Sequence, residues 1–241
     1  MRYCYRPLAL WAALALPATV AGQHRLSAVG LRAGLGLLTP HWATADVDVA
    51  NMRLTNHREA RPERLTRQAG LYARFTSPAS RWYMQPEVQG TVAKGYSYVT
   101  ASVDGGWGGI SYFYRQLRRL DAGVLVGSRL GHGPVHVAAG PALAYNQADD
   151  AYRSGIGSTQ ALLDVVAASP RRLQALGRAA VGVRGGRFGL ELRYELGLTR
   201  YINQFRYREQ TYQLPLNNHL LLLSLSADIL RWQHQKIPHF R

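Results

Sequence analysis

The chain has 241 residues, a formal net charge of +15, 47% hydrophobic residues and one cysteine, Cys4. That length suffices for a single domain with a real core or a closed barrel. The basic residues are scattered through apolar alternation and form no Lys/Arg-rich run, so the charge draws no nucleic-acid footprint and suits anionic lipid or polysaccharide at least as well.

In chain order, "MRYCYRPLALWAALALPATVAGQ" comes first, with Arg2 and Arg6 ahead of an apolar run from Leu8 to Val20 and then small residues. This is the layout of a secretory signal peptide spanning residues 1–22, with cleavage after Ala21 or Gly22. The run is shorter than the ~20 residues that a membrane-crossing helix needs. Cys4 falls inside the signal, so the exported chain has no cysteine and is stabilised by its fold alone.

Residues 23–232 carry eight stretches of period-two alternation. In "LSAVGLRAGLGLL" (26–38), Val29, Leu31, Ala33, Leu35 and Leu37 oppose Gly30, Arg32, Gly34 and Gly36. In 68–75, Leu71, Ala73 and Phe75 oppose Gly70, Tyr72 and Arg74; in 83–99, Met84, Pro86, Val88 and Val92 oppose Gln85, Glu87, Gln89 and Thr91. The fourth stretch, 120–129, sets Leu120, Ala122, Val124 and Val126 against Asp121, Gly123, Gly127 and Arg129. The fifth, 135–145, sets Val135, Val137, Ala139 and Leu143 against His136, Ala138, Gly140 and Ala142.

The sixth and seventh form "GRAAVGVRGGRFGLELRYELGLTR" (177–200), two strands meeting at Gly185-Gly186. Its apolar side is backed by Arg178, Arg184, Glu191, Arg193 and Glu195. The eighth, 219–230, sets Leu221, Leu223, Leu225, Ala227 and Ile229 against Ser224, Ser226 and Asp228. A tail, 233–241, follows.

The connections alternate long and short. The long ones are 39–67, 100–119, 146–172 and 202–218, and the short ones 76–80, 130–134 and 185–187. Tight turns on one side and long loops on the other are the pattern of a transmembrane β-barrel. The expected fold is therefore all-β: an eight-stranded antiparallel up-and-down transmembrane barrel with short periplasmic turns and four long extracellular loops. Closure pairs every backbone group, which hydrocarbon demands. The loop segment "STQALLDVVAASP" is weakly helical and stopped by Pro170.

On this register the apolar faces meet lipid and the ions face inward: Arg32, Arg74, Arg129, Arg178, Arg184 and Arg193 against Glu87, Asp121, Glu191, Glu195 and Asp228. Eight strands leave an interior that side chains fill. Paired, hydrogen-bonded ions then make a structural plug, and an ion or proton path is the lesser reading. Trp82, Tyr83, Tyr96, Tyr98, Tyr145, Tyr194, Tyr201, Phe205 and Trp232 suit interfacial girdles. In the first long loop, Arg53, Arg58, Arg61, Arg64 and Arg67 read as a solvated stretch, with anion contacts to lipopolysaccharide phosphates as the functional alternative.

No GxSxG, HExxH or Cys/His metal spacing occurs, and the histidines are scattered, so the sequence assigns no catalytic, cofactor or metal residue. With strands placed, the chain resembles the PorT-like outer-membrane β-barrel family. The carriers are "VGLRAGLGL", "QPEVQGTVAKGYSY", "AAGPALAY" and "FGLELRYELGLTRYIN". Strand four departs from the family pattern, having Asp121 without a following proline. The resemblance implies an integral outer-membrane location and, for some members, work with secretion or gliding machinery.

The expected role is structural, anchoring or interaction, with no open pore. Its partners would be outer-membrane lipid, lipopolysaccharide and other envelope or secretion-apparatus proteins, and not nucleic acid. Two other classes stand beside it: a lipid A-modifying enzyme on an eight-stranded barrel, and a soluble lipocalin-like barrel. The soluble class would salt its outer face with charge, which these apolar faces lack.

Overall fold

The computed structural model describes residues 25–42, 46–50, 52–57, 65–77, 81–103, 110–131, 133–147, 153–154 and 158–232. The signal segment and the tail lie outside the described residues. Twelve strands follow in chain order: β1 (Arg25–Trp42), β2 (Asp46–Val49), β3 (Met52–His57), β4 (Leu65–Thr76), β5 (Trp82–Val103), β6 (Ile110–Arg129), β7 (Val135–Asn146), β8 (Arg153–Ser154), β9 (Leu173–Gly185), β10 (Phe188–Gly197), β11 (Ile202–Tyr207) and β12 (Gln210–Arg231). Among the described residues one helix, α1 (Ser158–Ala168), precedes β9.

Eight of the strands close a ring in the order β1-β4-β5-β6-β7-β9-β10-β12, and β12 returns to β1. Every pairing is antiparallel, as an up-and-down path requires. The short turns gather at one rim, together with the start of β1 and the end of β12. The β9–β10 turn is a two-residue loop, since Gly185 pairs with Phe188. Gly186 there has φ +56°, which glycine adopts without a Cβ clash.

The ring is inside-out relative to a water-soluble barrel. Leu225 and Leu71 point outward at 65% and 58% exposure, while Arg193 is 2% exposed. Each of the eight ring strands contributes outward apolar side chains, among them Leu31, Leu71, Val88, Val126, Val137, Val181, Leu192 and Leu223. Alternation with a two-residue period forces this: once one face is committed to lipid-like contact, every intervening side chain must point in.

At the other rim the structure corrects the expected loops, because much of them is strand. β2 and β3 form a hairpin that extends β5, β5 and β6 run on past the ring, and β11 pairs back on β12 across the turn at Arg208 and Glu209. Here the pattern inverts, with apolar groups inside and polar groups outside. Met52, Leu54, Ile202, Phe205, Leu214 and Leu216 are all buried. The α1 helix drops Leu162, Leu163, Val166 and Ala167 into the same cluster, which reaches down to Leu38, Ala93, Leu117, Leu220 and Leu222 on ring strands. Ser169 Oγ donates to the Val165 carbonyl at 2.6 Å, and Pro170 follows, ending the helix. The long-loop end is thus stoppered by an ordinary hydrophobic core.

Candidate functional site

Below that core the interior is ionic. Glu87 on β5 accepts from three guanidinium groups: Arg32 of β1, Arg178 of β9 (3.1 Å) and Arg193 of β10 (2.7 and 3.1 Å). Glu191 of β10 accepts two bonds from Arg32 Nη2 at 2.9 and 2.8 Å and one from Arg193 Nε at 3.2 Å. β5 and β10 sit four places apart in a ring of eight. The Glu87–Arg193 pair therefore joins opposite walls, and at its level the bore is occupied by side chains.

The network continues in both directions. Toward the long loops, Arg178 also holds Asp121, and Arg119 bridges Asp121 (3.1 Å) and Glu195. Gln68 adds a donor to Glu195 at 3.1 Å. Toward the short turns, Asp228 accepts from Tyr72 (2.6 Å) and Arg184 (3.0 Å) and lies 3.6 Å from Arg74. Arg74 is further tied to Gln85 at 2.7 Å. At least one charge-assisted bond to each of the five carboxylates is what makes burial of so many ions tolerable.

Small residues make room for these groups. A Cβ on Gly127 would come within 2.3 Å of the Tyr83 ring, and one on Gly30 within 2.4 Å of the Tyr72 hydroxyl. Gly30 and Gly127 thus leave room for the inward rings of Tyr72 and Tyr83, their register partners on the neighbouring strands.

Of the eleven interior residues expected from sequence, Arg32, Arg74, Glu87, Asp121, Arg178, Arg184, Glu191, Arg193, Glu195 and Asp228 are brought together in this network. Arg129 is not. It closes β6 at the short-turn rim with its side chain exposed, where alternation ends and the chain turns. The interior cation that sequence reasoning missed is Arg119, which is 5% exposed. It sits one residue before the strand boundary drawn at Leu120, and the inward parity of Asp121 would have found it.

The loop arginines are scattered differently. Arg58, Arg61 and Arg64 lie outside the described residues. Arg53 pairs through its backbone with Asp48 and Ser102, and Arg67 is exposed on the outer face of β4, level with Leu35 and Val92. Arg118, also exposed, lies on the same row one strand further on.

The aromatic girdle is corrected in part. Trp82 and Trp232 face outward at the short-turn rim, and Tyr145 and Tyr194 face outward at the other. Tyr83, Tyr201 and Phe205 are buried inside, because their positions share the parity of the inward residues. The side chains of Tyr96 and Tyr98 lie outside the described residues.

His136 faces inward, 3.3 Å from Glu191 through Nε2, with Tyr83 edge-on at 6.1 Å. Among the described residues no group of three His, Cys, Asp or Glu side chains is disposed to hold a metal ion. At the short-turn end the bore widens into a cavity of about 580 Å³, into which His136 also faces.

No family model matches the chain, and no curated protein matches it. Among solved structures the chain is similar to the outer membrane protein OprG from Pseudomonas aeruginosa. The identity is 10% and the TM-score 0.41, over 85% of this chain and 96% of that one. It is also similar to the NanC porin at 10% identity and a TM-score of 0.30, over 83% of this chain and 100% of that one.

Proposed function

We propose that the protein is an integral outer-membrane barrel that does not conduct, serving as a structural, anchoring or interaction protein through its two rims. The membrane setting is supported by the outward apolar side chains on all eight ring strands, which would be costly in water and are at home in hydrocarbon. The closed state is supported above all by the Glu87–Arg193 pair joining opposite walls. The α1 helix and its apolar cluster add a second closure at the long-loop end.

A non-enzymatic role is supported by how the candidate groups are spent. His136 engages Glu191, and Glu191 is itself held by Arg32 and Arg193. The exposed arginines Arg67 and Arg118, on one row of the outer face, suit the phosphates of lipopolysaccharide. The finer reading as a PorT-like protein rests on the glycine-and-alternation motifs of β1, β5, β7 and β10, with envelope or secretion-apparatus proteins as partners at the long-loop end.

Planar-bilayer recording tests the closed state. Wild-type protein that is folded, as judged by a mobility shift between unboiled and boiled samples, is expected to give no stable porin-sized conductance. A steady conductance from such protein would refute the plug.

A further inference from the structure

The cavity at the short-turn end is a basic cup. Its walls carry Arg74, Arg81, Arg129, Arg184, Arg231 and His136, and among the described residues no carboxylate lines it. Its floor is the ion network, where Arg74 and Arg184 share Asp228 at 3.6 and 3.0 Å, and Arg184 also lies 3.6 Å from Glu191, a carboxylate that Arg32 and Arg193 already hold. Across the network Arg32, Arg74, Arg119, Arg178, Arg184 and Arg193 face only Glu87, Asp121, Glu191, Glu195 and Asp228, so the described ions beneath the cup carry an excess of positive charge. Arg81 and Arg129 add to it from the rim, side by side because the Arg129 amide donates to the Arg81 carbonyl at 3.2 Å.

The cup is also held in shape. Arg74 lies over the Tyr72 and Tyr83 rings at 5.2 and 5.5 Å and donates to Gln85. Arg231 Nη1 donates to the Gly186 carbonyl at 3.0 Å, which fixes it beside the β9–β10 turn. Pinned guanidinium groups lose little freedom on meeting a ligand, and their planar fork matches phosphate oxygens two at a time. The volume is within the ~300–1,000 Å³ range of small-molecule sites. Like charges gathered around a partly enclosed space repel one another, and a bound anion removes that repulsion.

We propose that this cup binds a small phosphate-bearing anion carrying more than one negative charge. The inference goes beyond the closed-barrel role and uses it only in that the ion network closes the cup from above. The phosphate belongs either to a soluble solute or to a lipid headgroup reaching in from the adjacent leaflet, and the chemistry of recognition is shared.

Titration calorimetry on the full barrel folded in neutral detergent, with inorganic tripolyphosphate as probe, tests it. Saturable, salt-sensitive binding is expected. It should weaken by about tenfold for each guanidinium removed in Arg81→Ala and Arg129→Ala, in line with loss of a hydrogen bond to a charged group. Both side chains lie outside the ion network, so heat modifiability should be unchanged in these variants. Arg206→Ala, exposed on β11 at the opposite end, should bind as wild type.

A short-chain phosphatidylglycerol then separates the sources. Competition with tripolyphosphate assigns the cup to a headgroup, and tripolyphosphate binding without competition assigns it to a soluble ligand. Absence of saturable binding to either probe, or equal losses in Arg206→Ala and Arg129→Ala, would overturn the proposal. Conductance is measured separately, so a leaky barrel that still binds the probe would refute the plug and leave the cup standing.

Discussion

Glu87→Ala is expected to be the most damaging single substitution in the bore, costing about 3–5 kcal/mol, the range for removing one partner of a buried ion pair. Three guanidinium groups converge on this one carboxylate, from Arg32, Arg178 and Arg193. Arg32 and Arg193 would retain Glu191, and Arg178 would retain Asp121 and Glu195. None would lose all its partners, yet the layer would hold three cations around a vacated site, and their mutual repulsion would no longer be screened. Glu87→Gln keeps an acceptor oxygen without the charge and should recover part of the loss.

Denaturant titration of folding in liposomes reads both variants. Coupling Glu87→Ala to Arg193→Leu gives the sharper result. The double variant should be less damaged than the two losses added, because each removes the group the other strands. Strict additivity would mean that the two side chains do not meet across the bore.

How much of this was legible in sequence follows from which solvent each face meets. In the middle of the ring, outward apolar and inward ionic residues differ maximally in polarity, so the alternation from Phe188 to Leu198 declares both strand and register without help. Near the long-loop rim the contrast fades and then reverses. Arg118 and Arg119 are adjacent, one outward and one inward, so polarity no longer separates the faces and the alternation legible in sequence starts at Leu120.

Beyond that point Ile202, Phe205, Leu214 and Leu216 point in, with polar neighbours pointing out. A search for outward apolar residues reads such a segment as a polar loop, although it is strand packed as in a water-soluble protein. The α1 helix was legible because "ALLDVVAA" keeps a helical spacing of apolar residues and Pro170 stops it. Its role as a stopper was not, since that depends on strands brought together from across the chain. The basic cup was equally hidden: Arg81, Arg129, Arg184 and Arg231 come from different hairpin ends and meet only when the ring closes.

Leu192→Arg and Arg193→Leu, neighbours on β10, should fail in different ways. Leu192 is exposed on the outer face, level with Val181 of β9 and Leu223 of β12, both also outward and apolar. An arginine there would stand in hydrocarbon at a cost of about 2–4 kcal/mol near the midplane. Arg193 instead points into the bore, where its removal takes two hydrogen bonds from Glu87 and one from Glu191. Glu87 would keep Arg32 and Arg178, and Glu191 would keep Arg32 and His136. In detergent micelles, whose apolar phase deforms readily around a charge, Leu192→Arg should fold nearly as wild type, whereas Arg193→Leu should show its full loss of stability. In lipid vesicles Leu192→Arg should give a strongly reduced yield of folded, heat-modifiable protein, and the ranking of the two variants should narrow or reverse. The dependence on the surrounding phase is the discriminating result, because a substitution that merely disturbs packing is damaging in both. If Leu192→Arg folds into vesicles with wild-type yield and stability, the outer face of β10 does not meet hydrocarbon and the membrane reading falls with it.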